Sequence, residues 1–307
     1  MPSRLAQFAD TLTVADGGWS TQLFARGWPN VSPAELANIS QGHLVVELAR
    51  DYLTAGAQVL STNTFSANRF ALARRKIAAD PRELNAAGAR LARQAIEQIH
   101  GPNAPTRVAG VIGPSGRMLA IRETPEAELA AAFAEAAVAL VENGADWIVL
   151  ETFTELAEAL LALQAVRSAV ELPIIVSLSF DAGPQRTLTM MNTEAGDAAS
   201  ALEAAGADGI GCNCGAGIAL ALPAVVAMRA HTRLPLWVKP SAGLPEMEEG
   251  RIIYSQTPDD FGGFVPTLLD AGANIFGGCC GTGPEHIRRV AALVQSRQKP
   301  RARRKEE

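Results

Sequence analysis

The sequence of 307 residues has no excess of positive charge and no apolar run of membrane-spanning length, and it holds only four cysteines and four histidines. A formal net charge of -5 offers no broad attraction to phosphate backbones or anionic lipid, which argues against a nucleic-acid or membrane partner. The one basic cluster, in the tail "KPRARRKEE", ends in two acids and reads as a solvated, disordered end over 299–307. The amino-terminal "MPSRLAQFAD" lacks the apolar core of a secretory leader, so the expected location is the cytoplasm. In that reducing compartment a cysteine is more often a metal ligand, a catalytic group or a core residue than half of a disulfide.

What the sequence does contain is a repeated unit. Four helical patterns stop at a Gly-Ala pair and turn at once into an apolar run: "TAGAQVLSTNTF", "NGADWIVLETF", "AAGADGIGCNC" and "DAGANIFGGCC". Glycine ends a helix readily because it takes up the left-handed conformation without steric cost. Further strands are expected over 12–18, 107–114, 174–180 and 235–241, which makes eight. Stretches such as "ELAAAFAEAAVALVENG" between them have helical apolar spacing. Strands that are apolar throughout, rather than alternating, belong to a parallel sheet covered on both faces. Eight such units predict one α/β domain, a (β/α)8 TIM barrel over 1–298.

In a barrel of this kind the reactive groups gather where strands end and loops begin. The predicted ends carry Asp16 in "ADGGWST", Asn63 in "TNTF", Glu151 in "LETF", Cys212, Asn213 and Cys214 in "GCNC", and Cys279 and Cys280 in "GGCCGTG". All four cysteines therefore lie at one end of the barrel. Three thiolates meeting there suit zinc, which binds sulfur at about 2.3 Å in tetrahedral geometry and keeps a fourth position for substrate. Adjacent residues of a regular strand face opposite ways, so Cys279 and Cys280 converge only if the flanking glycines let the backbone leave strand geometry. Cys212, two residues before Cys214, would face the same side and could close the site as a fourth ligand. Cys214 at the strand end is the better-placed ligand, with Cys212 as packing. A redox pair would show a Cys-x-x-Cys motif at a helix start, and the glycines match neither standard phosphate loop.

The histidines, His43, His100, His231 and His286, all fall in predicted helices, which removes the imidazole ligands and bases that zinc hydrolases use. An all-sulfur zinc site is electron-rich and a poor generator of hydroxide. It still takes the proton from a thiol that enters its open position, which suits alkyl transfer to sulfur. Asp16 and Glu151 could hold the ammonium of an amino-acid thiol, with backbone amides of "DGGWST" taking its carboxylate. Their bland alternative is a helix cap or a solvated strand end.

The motifs "DGGWSTQL", "TNTF", "GPSG", "LETF", "GCNC" and "NIFGGCCGTGPEHI", in this order, resemble the homocysteine S-methyltransferase family, which includes the homocysteine-binding module of cobalamin-dependent methionine synthase. The resemblance runs from about Leu12 to Val294. It implies a barrel enzyme that methylates homocysteine to methionine, with zinc on Cys214, Cys279 and Cys280. It also implies substrate contacts from Asp16 with its loop (Gly17, Gly18 and Thr21), from Asn63, from Glu151 and from Asn213. Where many relatives carry Pro-Asn after the seventh strand, this chain has Pro240 and Ser241, so an amide beside the metal is missing. The resemblance leaves the methyl donor open between a small onium compound such as S-methylmethionine and methylcobalamin presented by a separate corrinoid protein. The barrel is expected to use up the chain and leave no room for a cobalamin module. A zinc barrel that binds a thiol amino acid or a partner without turnover, or a methyltransferase for another thiol, are the alternatives.

Overall fold

The computed structural model describes residues 3–121, 123–248 and 251–298. The chain forms β1 (Thr13–Val14), β2 (Val59–Ser61), β3 (Arg107–Ile112), β4 (Trp147–Phe153), β5 (Ile174–Leu178), β6 (Gly209–Cys214), β7 (Leu236–Pro240), the hairpin strands β8 (Pro245–Glu248) and β9 (Arg251–Tyr254), and β10 (Ile275–Phe276). Leaving out the hairpin, eight strands pair in parallel in the order β1-β10-β7-β6-β5-β4-β3-β2, and an Ala15–Val59 bridge joins the two edges into a ring. Helices Gly42–Thr54, Pro81–His100, Glu126–Glu142, Leu156–Ala169, Ala195–Ala204, Ile218–His231, Pro258–Asp270 and Pro284–Gln298 cover the outside. The (β/α)8 barrel expected from the repeats is present, and each of its strands falls within a segment identified from the sequence. The charged tail 299–307 lies outside the described residues.

The local reasons are those the repeat suggested. Gly56, Gly144, Gly206 and Gly272, the four predicted stops, all have positive φ, between 90° and 108°. Each ends a turn after its helix and sends the chain back into the sheet. Between strands and helices lies one continuous apolar shell, in which Leu140, Leu163, Val166 and Phe261 are wholly buried.

Inside the ring, Ala15, Val59, Ala109, Val149, Ile175, Trp237 and Ile275 form a separate apolar plug, closed from below by Leu5 and by Phe8 set edge-on against Trp147 at 4.9 Å. Trp237 fits because its neighbour on β6 is Gly211, where a Cβ would stand 2.0 Å from the Trp237 carbonyl oxygen. Two residues further along four of these strands, at the same inward phase, the side chains turn polar: Ser61 follows Val59, Glu151 follows Val149, Ser177 follows Ile175 and Lys239 follows Trp237. That polar layer is the floor of the site.

The hairpin β8-β9 was not foreseen. Its first strand is fully exposed and carries no apolar alternation, so it lacks the pattern by which buried strands announce themselves. No helix of the described residues is long and apolar enough to cross a membrane.

Candidate metal centre and adjoining cavity

Cys279 and Cys280 sit just past β10, where the chain has left the sheet. Gly277 and Gly278 still donate to the Val238 and Asp16 carbonyls, and 279–282 then closes a turn, with the Thr282 amide and hydroxyl both donating to the Cys279 carbonyl. Gly281 is the third residue of that turn, with φ +80°. A side chain there would be strained, and a Cβ would lie 2.2 Å from the Tyr254 ring. The turn puts both sulfurs on one side, as the flanking glycines suggested.

Cys214 reaches the same point differently. Its backbone is also left-handed, at φ +62°, which breaks the strand phase and swings its side chain to the mouth of the barrel. Cys212 stays in phase and packs outward among core residues, where burial pushes its thiol up to about 12. It takes no part in the sulfur cluster.

The Sγ atoms of Cys214, Cys279 and Cys280 all lie within 4.8 Å of one another. The separations are 3.1 Å (Cys214 to Cys279), 3.8 Å (Cys214 to Cys280) and 4.0 Å (Cys279 to Cys280). A tetrahedral site with bonds of about 2.3 Å has ligand edges of about 3.8 Å, so two edges fit and the third needs a small opening. Hydrogen bonds from Cys214 and Cys279 push the Cys280 thiol down to about 3, while its bonds to Cys279 and Cys280 hold the Cys214 thiol well up. Three mutually bonded sulfurs at these spacings are soft donors that a divalent cation can bind in place of their protons.

A cavity of about 100 Å³ adjoins the sulfurs, and Gly17, Gly18, Thr21, Asn63 and Glu151 all line it. Glu151 is aimed there by a bulge in β4: the register slips between Leu150 and Phe153, and Thr152 adopts φ +61°. A β-branched residue in that conformation needs outside support. Asn213 supplies it, accepting from the Thr152 amide at 3.0 Å and donating to its hydroxyl at 2.6 Å. Glu151 Oε1 is buried without a hydrogen-bond partner among the described residues, and burial pushes the carboxyl up to about 7. An orphaned carboxylate oxygen facing a cavity is an acceptor waiting for a donor.

Asp16 and Asn213 stand behind the cavity wall. Asp16 is fully buried, and its two oxygens already accept from Trp19 Nε1, Ser61 N, Ser61 Oγ and Lys239 Nζ. Asn63 lines the cavity, but its amide donates to the Ala34 carbonyl and to Asn38. The Gly18 amide is bonded to the Thr282 carbonyl at 3.0 Å. The four histidines lie in helices, and among the described residues none joins the sulfur cluster.

Sequence reasoning passed over Lys239. The signal was there, a lysine in the apolar strand "PLWVKPS", two residues past Trp237 and so on the inward phase. Tyr254, against Gly281 and beside Cys280, was passed over for a better reason, since it belongs to the unforeseen hairpin.

The sequence profile of the homocysteine S-methyltransferase family matches residues 13–294. Methionine synthase of Mycobacterium tuberculosis is 32% identical over 302 residues, covering 94% of this chain and 25% of that protein. The methionine synthase of Mycobacterium leprae is 31% identical over 305 residues. The chain spans about a quarter of the length of these relatives. Among solved structures, the metallated form of the Escherichia coli homocysteine methyltransferase MmuM superposes with a TM-score of 0.77 at 25% identity, over 94% of this chain and 99% of that one. With the profile spanning nearly the whole barrel, the chain belongs to the homocysteine S-methyltransferase family.

Proposed function

We propose that this barrel, as the homocysteine-binding domain over 1–298, methylates homocysteine to methionine, with zinc held by Cys214, Cys279 and Cys280. The observation that carries this reading is the meeting of three sulfurs beside a cavity where, among the described residues, the unpartnered buried side-chain oxygen belongs to Glu151. Zinc bound there supplies a position at which an incoming thiol loses its proton at neutral pH. Glu151 receives the ammonium of the amino-acid thiol and so turns its sulfur toward the cysteines. The Gly17–Gly18 backbone packs directly against the cysteine turn, because a Cβ at Gly17 would stand 2.9 Å from Thr282 and one at Gly18 2.5 Å from the Cys279 carbonyl oxygen. Asn213 fixes Glu151 by holding the bulge, and Asp16 fixes the loop through Trp19 and Ser61. The substrate sulfur then attacks the donor methyl carbon in line. The carbon–sulfur bond forms as the bond to the donor heteroatom breaks, and the electron pair leaves with the donor; positioning is the main contribution of the protein. Thiols used in this way have to stay reduced, which fits a cytoplasmic setting.

A second cavity of about 750 Å³, lined by Phe24, Trp28, Ile252 and Tyr254, opens on the far side of Thr21 and Cys280 and offers the approach for the donor. Metal analysis combined with a donor panel of S-methylmethionine, betaine and methylcobalamin tests the function. About one zinc per chain and methionine from at least one donor is the expected result. Metal and homocysteine binding with no methionine from any donor would favour a barrel that binds without turnover.

The raised Glu151 carboxyl carries a pH prediction. Above about 7 it is anionic and pairs with the substrate ammonium; below that it is neutral and the charge attraction is lost. Homocysteine affinity is therefore expected to weaken as pH falls through 7, approaching about tenfold per unit from this group alone. Glu151→Gln should bind more weakly at pH 8 and retain only the slope due to the thiol. Calorimetric titrations between pH 6 and 8.5 compare the two slopes, and identical slopes would remove Glu151 from ammonium binding.

A further inference from the structure

Lys239 is the one cation among the described residues that lines the cavity beside the sulfurs. Its side chain is 3% exposed, and Nζ donates to Asp16 Oδ1 at 2.6 Å and to Ser61 Oγ at 2.9 Å. Below it, 5.2 Å away, lies the ring of Trp237. An ammonium has three N–H donors, and among the described residues only these two find an acceptor. Glu151 lines the same cavity with an oxygen that has no partner. No ion pair joins Glu151 to Lys239, whose only carboxylate partner within 4.0 Å among the described residues is Asp16. Opposite charges thus face one small space without meeting across it, although a buried pair free to close would gain by doing so.

Such a space suits a ligand that carries one charge of each sign. The "DGGWST" loop offers that negative end only neutral backbone amides, and the Gly18 amide is already bonded to Thr282. Asp16, for its part, cannot compete for the ligand's positive end, because its oxygens are engaged by four protein donors. Asp16 thereby holds the lysine in place and leaves Glu151 as the free anion. Burial pulls the Lys239 ammonium toward neutrality, and the carboxylates of Asp16 and Glu151 more than offset that pull, so the cation persists.

We propose that Lys239 is a specificity-determining residue: its third N–H receives the α-carboxylate of the amino-acid thiol while Glu151 receives the ammonium. The cavity then selects a zwitterionic thiol over one that lacks the carboxylate. This rests on the reading of the cavity as the thiol amino-acid site, and it goes beyond that reading by assigning the carboxylate to a buried side chain.

The test pairs the residue with the ligand group. Binding of L-homocysteine and of 3-mercaptopropylamine, the same molecule without its carboxylate, is measured by calorimetry on the zinc-loaded protein, as wild type, as Lys239→Met, and as Lys239→Met combined with Asp16→Asn, which strands neither member of the Asp16–Lys239 pair. Wild type is expected to favour homocysteine by about tenfold or more, the usual scale of a charge-assisted hydrogen bond. Both variants should lose most of that preference while binding the amine within about threefold of wild type. Equal weakening of the two ligands would make Lys239 a structural residue, and an unchanged preference would place the carboxylate elsewhere; either result overturns the proposal. Failure of wild type to bind either thiol would instead count against the site itself, so the two failures are distinguishable. Should Lys239→Met not fold, the doubly substituted protein still decides.

Discussion

Replacing Cys279 with serine is expected to remove the metal and methyl transfer together. Cys279 is the sulfur nearest to Cys214, at 3.1 Å, and its loss leaves two thiolates where three are needed. A serine hydroxyl is a hard, weakly acidic donor that cannot replace a thiolate on a soft or borderline cation. Loss of an outer-shell partner alone costs about 10–100-fold in metal affinity or activity, so loss of a ligand should exceed that range. The fold should survive, because the turn is held by the backbone: the Cys279 amide donates to the Pro240 carbonyl, and its own carbonyl accepts from Thr282. Metal-to-protein ratio after dialysis, methionine formation and circular dichroism, measured on one preparation, check all three statements. Retention of stoichiometric metal and activity would refute the ligand assignment. Cys212→Ser is the control, since Cys212 packs in the outer core and its change should cost stability but no metal.

Asp16→Ala is expected to be the most destabilising single change at the site. Asp16 and Lys239 form an ion pair with side-chain exposures of 0% and 3%. Removing one partner strands a buried charge, which costs about 3–5 kcal/mol. It also removes acceptors from Trp19, Ser61 N and Ser61 Oγ, and so loosens the loop that borders the cavity. Thermal unfolding should move down by roughly 10 °C. Adding Lys239→Met to Asp16→Ala should recover part of this, because the stranded ammonium goes with it. A loss below about 1 kcal/mol for Asp16→Ala in urea unfolding would mean that the pair is open to water, contrary to its burial.

The site was partly legible for a definite reason. Cys279 and Cys280 stood out because paired sulfurs among glycines at a strand end have no ordinary packing role, and Glu151 because a carboxylate closes an apolar run. Asp16 was legible as a strand-end acid, yet not as the partner of Lys239, for that contact joins residues 223 positions apart. Asn213 shows the same limit. Its place beside Cys214 suggested the substrate, and what it holds is the backbone of Thr152, across from it on another strand. Spacing alone made Cys212 and Cys214 equivalent, and position at the strand end chose Cys214; the positive φ of Cys214, which overrides the two-residue period, is the physical reason that choice holds.

By itself the sequence determined the architecture, because helix stops, apolar runs and their eightfold recurrence are local properties that survive without knowledge of neighbours. It also determined which residue types would crowd one end of the barrel. Only the tertiary structure decided how those groups are shared out: how closely the sulfurs meet, that Asp16 is already occupied, and that Glu151 and Lys239 face one cavity unpaired. Charge and hydrogen-bond partnerships depend on distances of a few ångströms between strands that the chain visits far apart, and closure of the ring is what sets those distances.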